Sequence, residues 1–343
     1  MLVLYSSDAR PRYVNDIATA LAMPNGARFH FRYQARYLSP EVQRMLGENS
    51  LIGSVALICF IGNRNNTTAE EFLLPVRLAK VTAVEKIGDA YVFTLQASGY
   101  PDLGQWPRSR DEIVERGSSA VRQGISNNHD EYYAAYWDSS GSLGSKSSKG
   151  TEGWAGVTER LLLLETFAQT YLLRLELTDS KGSPMQVSAD ETGWLSFDPR
   201  RSYRVRAWFY GNSVDFGNRT IKLETDGEVL SSISDQRYVV RSRYDQVDFW
   251  FTPKASDQPK RTLLRVVSSP ASPSDPSDIP TEVELRCLVT RPLAPRMLLA
   301  LIAGASATAV AAPGLLGDAV PIEWRLLIAG VGALGVAVAA GLR

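Results

Sequence analysis

The hydrophobic and polar positions follow three different patterns along the chain. Up to about residue 100, helical periods and strand-like periods take turns, and from 154 to 290 nearly all apolar runs are short and alternating. From residue 297 onward, two long runs contain no charged side chain. This succession predicts an α+β N-terminal domain, then a mainly antiparallel β-sandwich or barrel domain, then a C-terminal transmembrane helical hairpin.

The first 138 residues have the signals of a mixed α+β cytosolic domain. Apolar spacing predicts a helix from Pro11 to Leu21, and Ser39 followed by Pro40 predicts the start of a second, short helix. Residues 28 to 37 alternate strictly between aromatic or small side chains and polar ones, which predicts a strand with one buried face. Strands are also predicted at 51–61, 73–84 and 91–97, the last two joined as a hairpin.

A Ser- and Gly-rich segment at 139–153 predicts a flexible linker or loop before a β-rich, membrane-proximal domain at 154–290. An amphipathic helix is predicted from Thr151 to Gln169. Seven short alternating runs then predict the strands of a sandwich or small barrel, at 171–178, 202–210, 220–224, 238–243, 247–252, 262–267 and 282–289. Trp194, Trp208 and Trp250 are predicted core residues of this domain.

The last segment, 291–343, is predicted to hold two transmembrane helices. Uncharged runs at 297–316 and 326–342 contain 20 and 17 residues, and as helices they would reach roughly 30 and 25 Å, near the thickness of a bilayer core. Basic residues before the first run and at Arg343 predict an inner-membrane protein with both termini in the cytoplasm. The alternative is a hydrophobic helical hairpin buried in a soluble core, which the lack of a polar stripe disfavours.

Small residues recur through both predicted spans, and they recur every four positions in the second. Close helix packing through such stripes predicts a homo-oligomer in the lipid bilayer, whereas a compositional bias of the source is the alternative explanation. The predicted membrane-packing positions are Ala303, Ala307, Ala311, Ala329, Ala333, Ala337 and Gly341.

Charge and composition narrow the candidate chemistry. Lys plus Arg and Asp plus Glu are equal at 37 each, so only a local patch would attract nucleic acid or an anionic surface. Cys59 and Cys287 lie in apolar runs, which predicts reduced structural thiols. The first residues lack the pattern of a secretory signal. Of the two histidines, His129 lies in a polar cluster that offers a metal ligand or general base, but solvated loops show such clusters more often.

No glycine-rich phosphate loop, CxxC pair or paired nucleophile and base occurs at a diagnostic spacing. The sequence therefore predicts no enzyme activity, no cofactor and no metal.

The best candidate binding site is the polar face of the strand at 28–37, formed by Arg28, His30, Arg32 and Arg36. Guanidinium groups at every fourth residue of one strand, on the same face, present forked donors that suit phosphate groups. This face predicts binding of a nucleotide, nucleic acid or lipid phosphate. The alternative is a solvated strand face paired with acidic neighbours, as the neutral overall charge allows.

The layout of a soluble part followed by spans at 297–316 and 326–342 resembles the two-span membrane effectors of bacterial antiviral defence systems. The resemblance covers the layout and no diagnostic motif. It implies a membrane-anchored cytosolic sensor and effector that a protein partner or nucleotide messenger activates, and that then oligomerises and permeabilises the inner membrane. The alternative is a passive membrane-anchored adaptor or scaffold that binds a protein partner through its β domains; a membrane-tethered enzyme is a third, weaker possibility.

Overall fold

The protein is mostly β. The computed structural model describes residues 1–7, 10–63, 71–103, 133–136, 147–148, 151–168, 170–180, 182, 194–212, 219–256, 258–270 and 281–290. Strands account for 56% of the described residues, and the helices in these ranges are three short ones. The predicted α+β class of the N-terminal region is therefore corrected to a β-sheet that carries two short helices.

Seven strands form the N-terminal sheet, in the order β2-β5-β4-β3-β1-β6 with β7 paired to β5. Its elements are β1 (Leu2–Ser7), α1 (Pro11–Ala22), β2 (Arg28–Gln34), α2 (Pro40–Gly47), β3 (Val55–Asn63), β4 (Glu71–Ile87), β5 (Ala90–Pro101), β6 (Ala134–Tyr136) and β7 (Ser147–Ser148). The first strand, β1, lies between β3, to which it runs parallel, and the antiparallel β6. All six of its residues are buried, as expected for an inner strand covered on both faces.

This sheet curls so that its two ends approach each other. Leu38, just after β2, forms a bridge with Ala134 of β6, and the backbone N–H of Tyr133 donates to the Tyr37 carbonyl over 2.8 Å. Inside the curl, the Tyr33 hydroxyl donates to the backbone carbonyl of Tyr5 over 3.0 Å. The curl encloses an apolar interior.

Helix α1 joins the two halves of the protein. Pro11 occupies its first turn, where a missing N–H costs nothing, and Ile17 and Leu21 are fully buried against the sheet. On its other side, Thr19 Oγ1 donates to the Glu282 carbonyl and the Glu282 N–H donates to Asn15 Oδ1, each over 3.2 Å. The N-terminal sheet and the C-terminal strands thus share one hydrophobic core.

The predicted helix start at Ser39 is confirmed in α2. Ser39 Oγ accepts a hydrogen bond from the Val42 N–H over 3.3 Å, and Pro40 follows at the first helical position. A side-chain acceptor at this place satisfies one of the N–H groups that a helix leaves free at its start.

The C-terminal strands form a β-sandwich of two sheets, with orders β12-β14-β10-β8 and β13-β11-β15-β16-β9. The strands are β8 (Tyr171–Asp179), β9 (Leu195–Phe197), β10 (Tyr203–Gly211), β11 (Arg219–Thr225), β12 (Leu230–Ser232), β13 (Arg237–Val239), β14 (Tyr244–Pro253), β15 (Lys260–Pro270) and β16 (Thr281–Val289). Ring contacts join the sheets: Phe197 lies 5.4 Å from Phe251, and Phe209 lies 5.8 Å from Tyr238. The seven predicted runs all contain a strand, and β9 and β12 are additional.

Helix α3 (Thr151–Leu161) is shorter than the predicted helix at 151–169. Trp154 is fully buried, and its indole N–H donates to the Leu173 carbonyl of β8 over 3.1 Å. The helix therefore contacts the sandwich through Trp154, and it also packs against β4 and β5 of the N-terminal sheet. The predicted domain boundaries at 138 and 153 stay predictions, because most of the residues around them are outside the described ranges.

The predicted transmembrane hairpin is not supported, and it is corrected here. In the described ranges no helix is long and apolar enough to span a bilayer. The longest, α1, has 12 residues and measures about 18 Å, whereas a span needs roughly 20 residues. The segments 297–316 and 326–342, with the packing positions Ala303 to Gly341 named above, lie outside the described residues. The predicted two-span inner-membrane location is therefore not supported either.

Candidate basic surface

Strand β2 lies at one end of the strand order and has two different faces. Its aromatic residues Phe29, Phe31 and Tyr33 point into the core, and the ring centroids of Tyr33 and Phe93 are 5.9 Å apart. Arg28 and His30 are half-buried on the opposite face, and Arg32 is exposed there. The structure thus places three of the four sequence-predicted residues on one face of one strand.

Arg36 does not belong to this face. The strand ends at Gln34, and a single 3₁₀ turn at Ala35–Tyr37 changes the direction of the side chains. The exposed guanidinium of Arg36 lies 4.7 Å from the centroid of the Tyr37 ring, and its Nη2 donates to the Tyr37 hydroxyl over 2.9 Å. Arg36 is therefore held by its neighbour, away from the row that the alternation predicted.

The sandwich adds a cation to the β2 face. The pKa of His30 is lowered, first by burial and then by the positive charge of Arg286 on β16, while Glu85 of β4 acts in the opposite direction. The sign of this effect indicates that positive charge on β16 acts on the polar face of β2. Burial and a neighbouring guanidinium both favour the neutral imidazole.

Trp194 extends this region along the sandwich. Its ring centroid lies 5.3 Å from the Arg261 guanidinium and 6.0 Å from that of Arg286, both within the range of cation–π attraction. Trp194, Trp208 and Trp250 are all half-buried, so their predicted core positions are wrong. We call Arg28, His30, Arg32, Arg261 and Arg286 the basic surface, with Trp194 at its sandwich end.

Acidic side chains neutralise only part of this area. Glu282 and Glu284 both pair with Arg265, at 3.3 and 2.9 Å. Within the described ranges, no ion pair engages the guanidinium groups of Arg32 or Arg286. These groups keep their forked donors available to an anion.

Other arginines of the sandwich are already engaged. Arg204 and Arg206, which alternate on β10 as Arg28 and Arg32 do on β2, both contact Asp248, at 3.2 and 2.7 Å. The Arg206 guanidinium, with Arg204 beside it, holds the pKa of Asp248 below its usual range. The two sets show why alternation of arginines along a strand does not by itself distinguish a binding face from an internally paired one.

No group of three or more potential metal ligands occurs in the part of the chain that the structure describes. Cys59 and Cys287 are buried free thiols whose pKa burial raises, which favours the unreactive protonated form. His129 and its polar cluster lie outside the described residues.

Comparison with known proteins adds no family. No protein-family model matches the chain, and no curated protein matches it. Among solved structures, the chain is similar to one titled "Structure of the N-terminal domain of PorA", with 10% identity over 34% of this chain and 97% of that one, and a TM-score of 0.20. A TM-score this low does not indicate a shared fold, so the functional argument rests on the residues of this chain.

Proposed function

We propose that this protein is a binding module that recognises a phosphate-bearing ligand on the basic surface. The observation that carries the proposal is the pair of arginines, Arg28 and Arg32, on one face of β2. A second pair, Arg261 and Arg286, lies within 6.0 Å of the Trp194 ring on the sandwich. Positive charges gathered at a surface repel one another, so an anion binds among them more tightly.

The chemistry of the residues favours phosphate over a simple carboxylate ligand. Arg28 and Arg32 lie on the same face of β2 and are separated by four residues, or about 13 Å, with His30 midway at about 7 Å from each. A ligand with several phosphate groups matches such a row better than one isolated acid. Trp194 offers an aromatic surface beside the row, which suits a nucleotide or a single-stranded nucleic acid.

Ligand binding would be the receiving step of a sensor. The antiviral effector role and the homo-oligomer are motivated by the two predicted spans alone, so they are not part of this proposal. In this scheme the bound anion changes how the β-sheets contact a protein partner.

The test measures binding of a fluorescently labelled single-stranded oligonucleotide by anisotropy at several salt concentrations. We expect the double variant Arg32→Glu with Arg286→Glu to bind at least tenfold more weakly, and the slope of log K against log salt to fall by about 1.4 if two phosphate contacts are lost. The double variant Arg237→Glu with Arg241→Glu, at two exposed arginines in and just after β13, is the matched control for the change in charge.

Equal affinity and equal slope in the double variant and the wild type would contradict the proposal. Inorganic polyphosphate and a mononucleotide serve as further probes, since binding of polyphosphate alone would separate a simple anion site from one that also uses Trp194. Circular dichroism checks that both variants keep the β fold.

A second function, that of an adaptor for a protein partner, is favoured by an aromatic cluster on the outer face of the four-stranded sheet. Tyr244 is 45% exposed, and its ring centroid lies 6.1 Å from those of Trp208 and Tyr210. Aromatic and arginine side chains are enriched in protein interfaces. Photo-crosslinking from position 244, with Ile87 as an exposed control position, would give a position-specific product if this face binds a partner.

A further inference from the structure

The outer face of the four-stranded sheet carries a row of aromatic rings along β10 and β14. Trp208 and Tyr210 lie on β10, and Tyr244 and Trp250 lie on β14, with Tyr244 directly opposite Tyr210. The ring centroid of Tyr244 lies 6.1 Å from those of Trp208 and Tyr210. Phe251, the next residue on β14, points the other way and is fully buried between the two sheets. We call Trp208, Tyr210, Tyr244 and Trp250 the aromatic strip.

Exposed aliphatic side chains accompany the aromatic strip at both ends. Ile233 is 61% exposed, and its N–H donates to the carbonyl of Trp250 over 2.8 Å. Leu163, in the turn that follows α3, is 72% exposed. This turn is held beside the end of β10, because Asn212 Nδ2 donates to the Leu162 carbonyl over 2.7 Å. A continuous apolar surface of this kind marks an interaction site rather than scattered exposure.

The charged side chains among the rings pair with one another. Asp248 contacts both Arg204 and Arg206, at 3.2 and 2.7 Å, and Glu176 contacts Arg174 at 3.9 Å. An anionic ligand would have to compete with these carboxylates for the guanidinium groups. The aromatic strip therefore differs from the basic surface, and it suits a ligand whose backbone is uncharged.

The aromatic strip is too narrow for a folded partner to bind it alone. Tyr244 and Trp250 are six residues apart on β14, so the strip is about 20 Å long, and two strands make it about 10 Å wide. Its area is on the order of 200 Å², whereas each partner in a standard protein interface contributes roughly 800 Å². On one side α3 borders it, with the Trp154 ring centroid 6.4 Å from that of Tyr244. These dimensions fit a single extended chain.

We infer that the aromatic strip binds a proline-rich peptide segment in the polyproline II conformation. Such a segment rises about 3.1 Å per residue, so six or seven residues would cover about 20 Å. Its preformed conformation loses little entropy on binding, and aromatic-lined surfaces are the usual way to recognise it. The inference rests on the second function given above, that of an adaptor, and it names the chemistry of the partner.

The polar and aliphatic groups of the strip agree with this ligand. The carbonyl groups of a polyproline II segment form no internal hydrogen bonds, and the exposed side chains of Gln246 and Tyr244 offer donors to them. A carbohydrate is the other uncharged extended ligand to consider. Burying its hydroxyl groups beside Ile233 and Leu163 would cost free energy, whereas proline rings gain from contact with them.

The test measures binding of a fluorescently labelled oligoproline of about ten residues to the full chain by anisotropy. We expect Tyr244→Ala, which removes the central ring, to weaken binding by about tenfold, and Ile233→Ser by about threefold. Ile87→Ser, at an isoleucine that is 56% exposed on the N-terminal sheet, is the matched control and should bind as the wild type does. The double variant Arg32→Glu with Arg286→Glu should also bind normally, since it alters the basic surface only.

The inference is overturned if the wild type does not bind oligoproline, if a flexible glycine–serine peptide of the same length binds equally well, or if Tyr244→Ala binds unchanged. Binding of a glucose oligosaccharide that Tyr244→Ala abolishes would also overturn it, because the strip would then be a carbohydrate site. Photo-crosslinking from position 244 separates the inference from the function on which it rests. A crosslinked partner without a proline-rich segment keeps the adaptor and refutes the proline-rich ligand, whereas the absence of any product contradicts both.

Discussion

Asp16 provides the sharpest test of how burial acts on this fold. It lies on α1 and is partly buried, and burial raises the pKa of its carboxyl from 3.8 to about 6, although Arg12 acts in the opposite direction. Its charge also contributes to the raised pKa of the buried Tyr33 phenol. At neutral pH, the ionised carboxylate is therefore a destabilising group in the folded chain.

The size of the effect follows from the difference between the folded and unfolded states. A pKa of about 6 in the folded state and 3.8 in the unfolded state differ by about two units, which corresponds to about 3 kcal/mol at 1.36 kcal/mol per unit. Between these values the folded chain holds more protons, so the free energy of unfolding falls as the pH rises from 4 to 6. Replacing Asp16 by Asn removes the ionised form, so the variant is expected to be more stable than the wild type at pH 7.

Urea denaturation of wild type and Asp16→Asn between about pH 4 and pH 8 measures this contribution. The gain in unfolding free energy should grow from near zero at the acid end to about 3 kcal/mol at pH 7, with solvent screening making this an upper value. Asp235→Asn, at an exposed position, shows the effect of removing one surface charge. A difference between Asp16→Asn and wild type that is the same at every pH would refute the reasoning.

Two further predictions concern packing and charge in the sandwich. A Cβ added at Gly211 would lie 2.8 Å from the buried ring of Tyr171, so Gly211→Ala should lower the free energy of unfolding by about 1–3 kcal/mol. A Cβ at Gly156 on α3 would lie in open space, so Gly156→Ala should raise the free energy of unfolding by about 0.5–1 kcal/mol. Urea denaturation measures both changes. Asp248 has a lowered pKa because Arg206 contacts it, so its contribution to stability is present above the unfolded pKa and is lost as the pH falls through the folded pKa. Asp248→Asn should therefore lose stability at neutral pH and lose less under acid conditions, and a pH-independent loss would contradict the role of the ion pair.

Local elements of the fold could be predicted from the sequence because their signals are local. The helix predicted at Pro11 to Leu21 is observed at Pro11–Ala22, and the hairpin of β4 and β5 is present with longer strands than predicted. The alternation of β2 placed its aromatic and basic faces correctly up to Gln34. Arg36 was misplaced because the change from strand to 3₁₀ turn leaves the alternation of side chains intact.

Interactions between distant parts of the chain could not be predicted from local patterns in the sequence. Arg286 is more than 250 residues from His30, and neither residue's local sequence indicates that the charge of one acts on the other. Trp194 directly precedes β9, a strand of three residues that the pattern did not predict. Its half-buried position depends on the parallel pairing of β9 with β16.

The position of β1 has a consequence for synthesis on the ribosome. Its neighbours in the sheet are β3 at residues 55–63 and β6 at 134–136, so β1 is made before both of its partners and completes its backbone hydrogen bonds only when β6 has been made. At translation rates of about 5–20 residues per second, the apolar segment from Leu2 to Tyr5 waits roughly ten seconds for β6. During that time its open edge is available to other chains or to a chaperone, so the yield of folded protein should be more sensitive to the speed of translation before residue 136 than after it.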